Sequence, residues 1–330
     1  MSSSESITRP KSILYIAGFA PTGEGDYEIE PDNFPILKQY HADLYTQLTQ
    51  QFDRVIPATS LDTAMDYYGE YDFIFSVHNS APFRNSEVFI SAFAESKSVP
   101  YLGAPPNIRA IAEDKHLAKI VARYLGVRTP EWYSLNVGEP LPTKLSFGGP
   151  YIIKPRYGVN SEAMPDNCVQ DTLLDLSEEW EKLNKAGISC IIERFIPGDN
   201  YSVPIIEGIP YRNLPIISEA GDGSLNLHSR TFKQSNSGIN RVVCQDRQTA
   251  ETLKRETYKI WNEISPVDYF RADWRKEKYS RDDYFLEFNV CCNLGKKSAM
   301  TLAAKTIGLS WAKLIDHLIV TALRRQPSSR

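Results

Sequence analysis

Two segments near the C-terminus, YFRADWR at 269–275 and YFLEFNV at 284–290, alternate apolar and polar residues with a period of two. Successive side chains of a strand point to opposite faces, so each reads as a strand with one apolar and one polar face. In the first, Phe270, Ala272 and Trp274 oppose Arg271, Asp273 and Arg275. In the second, Leu286, Phe288 and Val290 oppose Glu287 and Asn289. Set side by side, the two polar faces gather Asp273, Glu287 and Asn289, oxygen donors of the hard type that magnesium prefers. Arg271 lies beside them, a residue suited to a transferring phosphoryl group. The plain alternative is a solvated sheet face with incidental charges.

The first third of the chain has a different rhythm. Apolar runs at 12–18 and 71–77 read as buried strands, with helical patterns from Phe34 to Phe52 and over 87–97 and a short strand, VPYLG, at 99–103. Strands alternating with helices favour a parallel, doubly wound unit. Residues 107–125 read as one helix stopped by Gly126, with Pro130 beyond. A strand PYIIKP, a charged helix over 171–185 and β-rich segments CIIERFI, YSVPIIEG and PYRNLPIISEA follow. Residues 221–240 are polar and read as a long loop, a length common in functional lids. A helix over 249–264, the two alternating strands and two C-terminal helices complete the chain.

Several function classes are disfavoured. A net charge of -4 does not suit a nucleic-acid coat. No apolar run is long enough to span a bilayer, and the polar N-terminus lacks a secretion signal, so a cytoplasmic protein without membrane contact is expected. Five cysteines without regular spacing argue against a disulfide framework or a zinc site; Cys291 and Cys292 read as small packing residues.

Single residues elsewhere carry weaker signals. Lys154 ends an apolar strand before a turn with Gly158, which suits phosphate binding or a snorkelling side chain; no Walker A pattern is present. Asp114 and Lys115 read as an exposed pair at a helix start. Glu193 precedes a turn, and His78 ends a strand, where such sheets place ligands.

The order of these pieces says more. The series YLGAPP, DKHLAK, LGVRTP, PYIIKP, IIERFIPGDNYSV, RADWR and FLEFN resembles the ATP-grasp superfamily, most closely the D-alanine–D-alanine ligase group, over residues 71–298. The resemblance implies an α/β and α+β protein of three domains. These are an N-terminal doubly wound α/β unit (1–105), a small central domain (106–190) and a C-terminal domain with the metal site (191–330). ATP would lie between the last two.

Carried over by residue, Lys115 and Lys154 resemble the phosphate-binding lysines. Residues Glu193, Arg194, Phe195 and Ile196 resemble the adenine hinge, with Glu193 accepting from the base's amino group. Asp273, Glu287 and Asn289 match the magnesium ligands. Arg271 matches the arginine that steadies the acyl phosphate. His78 and Ser298 fall near the first and second substrates. Arg230 or Lys233 would come from a loop closing over the phosphates, with 221–240 as the lid. The implied activity is ATP- and magnesium-dependent joining of a carboxylate to an amine, both small molecules and amino acids among them, through an acyl phosphate. A homodimer is left open.

Departures cluster around the amino-acid substrates. The loop after His78 reads NSAPFRNSE, the turn after the metal strand reads Asn289-Val290-Cys291-Cys292-Asn293, and only Glu24 and Glu28 are candidates to hold a substrate ammonium. On the ATP side, the family's ribose-binding glutamate appears as Asn200. These point to a non-standard substrate. A D-alanine–D-alanine ligase of cell-wall synthesis and a nucleotide-binding protein without ligase activity are the alternatives.

Overall fold

Apolar strands without alternation need cover on both faces, and the N-terminal sheet receives it. In the computed structural model, which describes residues 8–23, 35–78, 86–158, 164–165, 167–208, 214–220 and 240–326, β1 (Ser12–Ile16), β2 (Arg54–Ala58) and β3 (Phe73–Ser76) run parallel in the order β2-β1-β3. Ile13 and Tyr15 of β1 share one core with Leu44 and Leu48 of helix α1 (Pro35–Thr49). Leu14 and Ile16 enter another with Leu61 of α2 (Leu61–Asp66) and Ile90 of α3 (Ser86–Ser96). This is the doubly wound arrangement expected. The segment VPYLG contributes only a bridge, Tyr101 to Ile74.

The helix expected over 107–125 is two helices. Asp114 adopts an extended conformation (φ -93°, ψ 101°) between α4 (Pro106–Glu113) and α5 (Lys115–Tyr124). Its carboxylate accepts from the His116 and Leu117 N–H groups, 2.9 and 3.3 Å away, capping α5. It also takes a bidentate pair from Arg156 at 2.9 and 2.7 Å. The sequence reading of Asp114 and Lys115 as exposed is therefore wrong: Asp114 is buried and the Lys115 side chain is 13% exposed. The far end of α5 behaves as expected, with Gly126 at φ +70° and Val127 N–H closing onto Ala122 O at 2.9 Å.

A central antiparallel sheet has the order β4-β7-β5-β6, from β4 (Trp132–Leu135), β5 (Tyr151–Pro155), β6 (Val169–Gln170) and β7 (Cys190–Arg194). Helix α6 (Ser177–Lys185), shorter than expected and preceded by a single 3-10 turn, covers it with Trp180 and Leu183 against Leu135 and Ile153.

The third sheet runs β10-β9-β8-β11-β12, from β8 (Gly198–Ile206), β9 (Ile217–Glu219), β10 (Arg241–Val243), β11 (Tyr269–Glu277) and β12 (Asp283–Asn289). Phe270, Ala272 and Trp274 of β11 pack with Leu253, Ile260 and Trp261 of α7 (Arg247–Ile264), so the expected apolar face is present. Helices α8 (Ala299–Thr306) and α9 (Trp311–Arg325) close the chain; Leu314, Leu318 and Ile319 of α9 join the core of Tyr15 and Leu44. Among the described residues no single helix is long and apolar enough to cross a membrane. Cys291 and Cys292 are buried packing residues and, like the other three cysteines, unbridged.

The expected alternation of β12 needs one correction. Pairing with β11 runs Arg271 to Asn289, Ala272 to Phe288 and Asp273 to Glu287, then shifts so that Trp274 faces Phe285. Leu286 is the extra residue of a bulge. Phe285, not Leu286, joins Phe288 and Val290 in the core.

Candidate active site

The polar faces of β8, β11 and β12 converge as their pairing requires. Asp273 stands opposite Glu287 on one side and Ser202 on the other. Arg271 Nε and Nη2 donate to the two Asp273 oxygens at 2.8 and 2.7 Å. Ser202 Oγ donates to Oδ1 at 2.9 Å and Asn289 Nδ2 to Oδ2 at 3.2 Å. Burial raises the Asp273 pKa against the pull of Arg271, and Glu287 and Glu219 raise it further. The same burial works against the Arg271 charge, but Asp273 outweighs it and the guanidinium is held more firmly protonated than usual.

Among the described residues no three acidic, histidine or cysteine side chains are grouped to hold a metal. The donor set is two carboxylates and one amide. It fits a hard cation, because Glu287 faces Asp273 across the strand pair and each disfavours the other's charge. Asp273, Glu287 and Asn289 are thus brought together with Arg271. Glu219 joins them through Ser202 Oγ at 3.2 Å and is paired with Arg241 at 2.9 Å. The sequence reading gave neither Glu219 nor Ser202 a role.

Three lysines stand nearby, and Lys115 reaches this acidic group. Because Asp114 starts α5 one residue earlier, Lys115 reaches out from the helix N-terminus; its Nζ donates to Gly158 O at 2.8 Å and lies 3.9 Å from Glu287 Oε2. Burial pushes its pKa down, Glu287 resists, and Lys154 adds to the depression. Lys154 of β5 and Glu193 of β7 are diagonal neighbours across the pair in which Ile152 faces Glu193 and Lys154 faces Ile191. Lys154 Nζ is 3.0 Å and Lys119 Nζ 3.2 Å from the same oxygen, Glu193 Oε1. Both are ion-pair contacts, yet neither has hydrogen-bond geometry, and this oxygen is buried without a hydrogen-bond donor. The Glu193 side chain is 1% exposed. The expectation that its carboxylate lies open to a base needs correcting: two lysines enclose it. Lys119, absent from the sequence reading, sits one helical turn after Lys115, a spacing that places both on one side of α5.

Beyond Glu193, the hinge residues are held tightly. Arg194 N–H donates to Glu131 O at 2.9 Å and Phe195 N–H to Pro150 O at 2.7 Å. Arg194 Nη2 donates to Tyr284 OH at 2.8 Å, while Phe195 and Ile196 are buried. Arg275 lies over the Phe195 ring at 4.9 Å and donates to Asn200 Oδ1 at 3.2 Å. Burial pushes its pKa down to about 10, with Asp199 opposing. Asn200, the sequence candidate for contact with ribose, thus meets an arginine.

The remaining candidates are more scattered. His78 follows β3, its N–H donating to Ser76 Oγ at 3.3 Å; burial pushes its pKa down. It influences His41, whose pKa burial and His78 push down to about 4. Cys291 Sγ approaches Ser76 O at 3.8 Å, so the end of β3 adjoins the segment after β12. Ser298 caps α8: its Oγ accepts from Thr301 N–H at 3.1 Å and contacts Thr301 Oγ1 at 3.1 Å. Arg230, Lys233, nearly all of the 221–240 lid, Glu24, Glu28 and residues 79–85 of the loop after His78 lie outside the described residues. A surface cavity of about 500 Å³ beside His116, Arg123, Trp132 and Tyr133 contains none of the residues of this face.

No family model matches the chain. It is 26% identical over 237 residues to D-alanine–D-alanine ligase A of Bacillus cereus, covering 70% of this chain and 74% of the relative. It is 25% identical over 231 residues to the D-alanine–D-alanine ligase of Aquifex aeolicus, covering 70% and 76%. The crystal structure of D-alanine–D-alanine ligase from Bacillus anthracis complexed with ATP superposes with a TM-score of 0.73 at 20% identity, covering 96% of this chain and 98% of that one. In its fold and in its sequence, this chain is similar to the D-alanine–D-alanine ligases.

Proposed function

We propose that the chain is an ATP-dependent ligase that joins a carboxylate to an amine in the cytoplasm. One observation carries this reading: a carboxylate and amide cluster (Asp273, Glu287, Asn289) meets Lys115 from the start of α5, and Lys154 lies close enough to Lys115 to depress its pKa.

A carboxylate is a poor electrophile, and phosphorylation by ATP turns one of its oxygens into a good leaving group. Attack by an amine then forms the amide and releases phosphate. Magnesium, held by Asp273, Glu287 and Asn289, would neutralise phosphate charge. Lys115 and Lys154 bind the phosphates from the opposite side. Arg271, fixed by Asp273, presents its remaining N–H donors to the oxygens that gain charge during transfer. Of the hinge amides, Arg194 and Phe195 are already engaged, which leaves Ile196 to meet the base. Arg230 or Lys233, assigned from sequence alone, would complete the phosphate contacts and exclude water. His78 and Ser298 are placed near the two substrates by the resemblance only.

The substrates are proposed to be non-standard amino acids, since most of the departures lie on the substrate side. The second reading, a D-alanine–D-alanine ligase, is favoured by the printed names of the relatives. A screen of amino acids and other acids for ADP release, with products read by mass spectrometry, tests both. Amide products from one or more pairs support the ligase; ATP binding without product from any pair supports a binding protein.

A further inference from the structure

We propose that Lys119 is a positioning residue that takes over the Glu193 carboxylate when Lys154 turns to the nucleotide phosphates. The inference rests on the ligase reading and adds a residue to it.

The two lysines around Glu193 are unlike. Lys119 is fully buried, and its Nζ donates to Thr129 Oγ1 at 2.8 Å, which in turn donates to Phe285 O at 2.8 Å. That chain anchors it between α5 and β12. The Lys154 side chain is 11% exposed and comes from the end of β5, so it is the one that can leave. Both ammonium groups share Glu193 Oε1 without a directed hydrogen bond. Because both ammonium groups meet one oxygen, the carboxylate keeps a partner when Lys154 leaves.

Without Lys119, the departure of Lys154 would strand a carboxylate that is 1% exposed. A buried charge with no partner is strongly disfavoured. Glu193 would then hold Lys154 and compete with the phosphates for it. With Lys119 in place, the Glu193 charge stays balanced in both positions of Lys154. Burial pushes the Lys119 pKa down to about 8 while Glu193 supports its charge, so the ammonium depends on the carboxylate it serves.

The test is calorimetric binding of ATP and of adenosine to the full chain, with thermal unfolding as the check on folding. Lys119→Met is expected to weaken ATP binding about tenfold or more and to leave adenosine within about threefold. Adding Glu193→Gln removes the competing charge and is expected to restore most of the ATP affinity. A merely structural lysine would give no such rescue. If Lys119→Met does not fold, Lys119→Gln, which can keep a hydrogen bond to Thr129, takes its place. ATP binding unchanged in the single variant, or a loss that Glu193→Gln does not recover, overturns the inference alone. Failure of the unaltered chain to bind ATP overturns the ligase reading and the inference with it.

Discussion

Lys115 Nζ lies 3.9 Å from Glu287 Oε2, a cation from the start of α5 facing a carboxylate of β12. The gap between them is where phosphate and magnesium would meet, and Glu287 helps Lys115 keep its charge against burial. Glu287→Gln conserves volume and removes the charge. Turnover is expected to fall at least about a hundredfold at saturating magnesium, with the unfolding midpoint little changed. Activity within a few-fold of the parent would show that Glu287 is not a ligand.

Asp114 sets where Lys115 points. Its carboxylate caps α5 and pairs with Arg156, and it is 3% exposed. Asp114→Ala removes a cap and one partner of a buried pair and is expected to cost about 2–4 kcal/mol. Urea unfolding measures the loss, and a change under about 0.5 kcal/mol would contradict the assigned role.

Much of this geometry was legible before any coordinates. The alternation of Phe270, Ala272 and Trp274 with Arg271 and Asp273 located both the apolar core and the polar face, because strand period and burial agree there. Leu286 was misplaced because a bulge depends on the pairing of two strands, not on the period within one. The break at Asp114 was hidden for a similar reason: it is secured by Arg156, 42 residues away. Strand β2, RVIPA, carries a proline and an arginine and pairs only through β1, so nothing local announced it. Lys119 was readable, four residues after Lys115, but its meaning depends on Glu193, which the fold brings to it on β7.

His41 gives a pH signature. Burial, with His78 adding to it, lowers its pKa from 6.5 to about 4, so the folded protein binds its proton less readily than the unfolded chain. The associated stability is present above pH 6.5 and is lost as pH falls towards 4. Between pH 7 and pH 5 the loss from this group is about 2 kcal/mol. His41→Gln should flatten this part of the stability curve, as read by urea unfolding at both pH values. Parallel curves for parent and variant would contradict the assignment.

D-alanine alone is expected to be a poor substrate. The sequence reading puts the departures after β12 at Cys292 and Asn293, and Asn293 Oδ1 accepts from Gly295 N–H at 2.7 Å to form its own turn. Thin-layer or mass-spectrometric assay of D-alanyl-D-alanine decides it, and robust formation would promote the cell-wall reading.

The central claim is that a carboxylate is activated by direct phosphorylation within this site. Once the screen yields a substrate pair, the carboxylate is supplied with both oxygens as oxygen-18 and the phosphate products are weighed. The account predicts ADP and inorganic phosphate, with one labelled oxygen carried into phosphate for each amide formed. AMP and pyrophosphate as products, or phosphate without label, would contradict it.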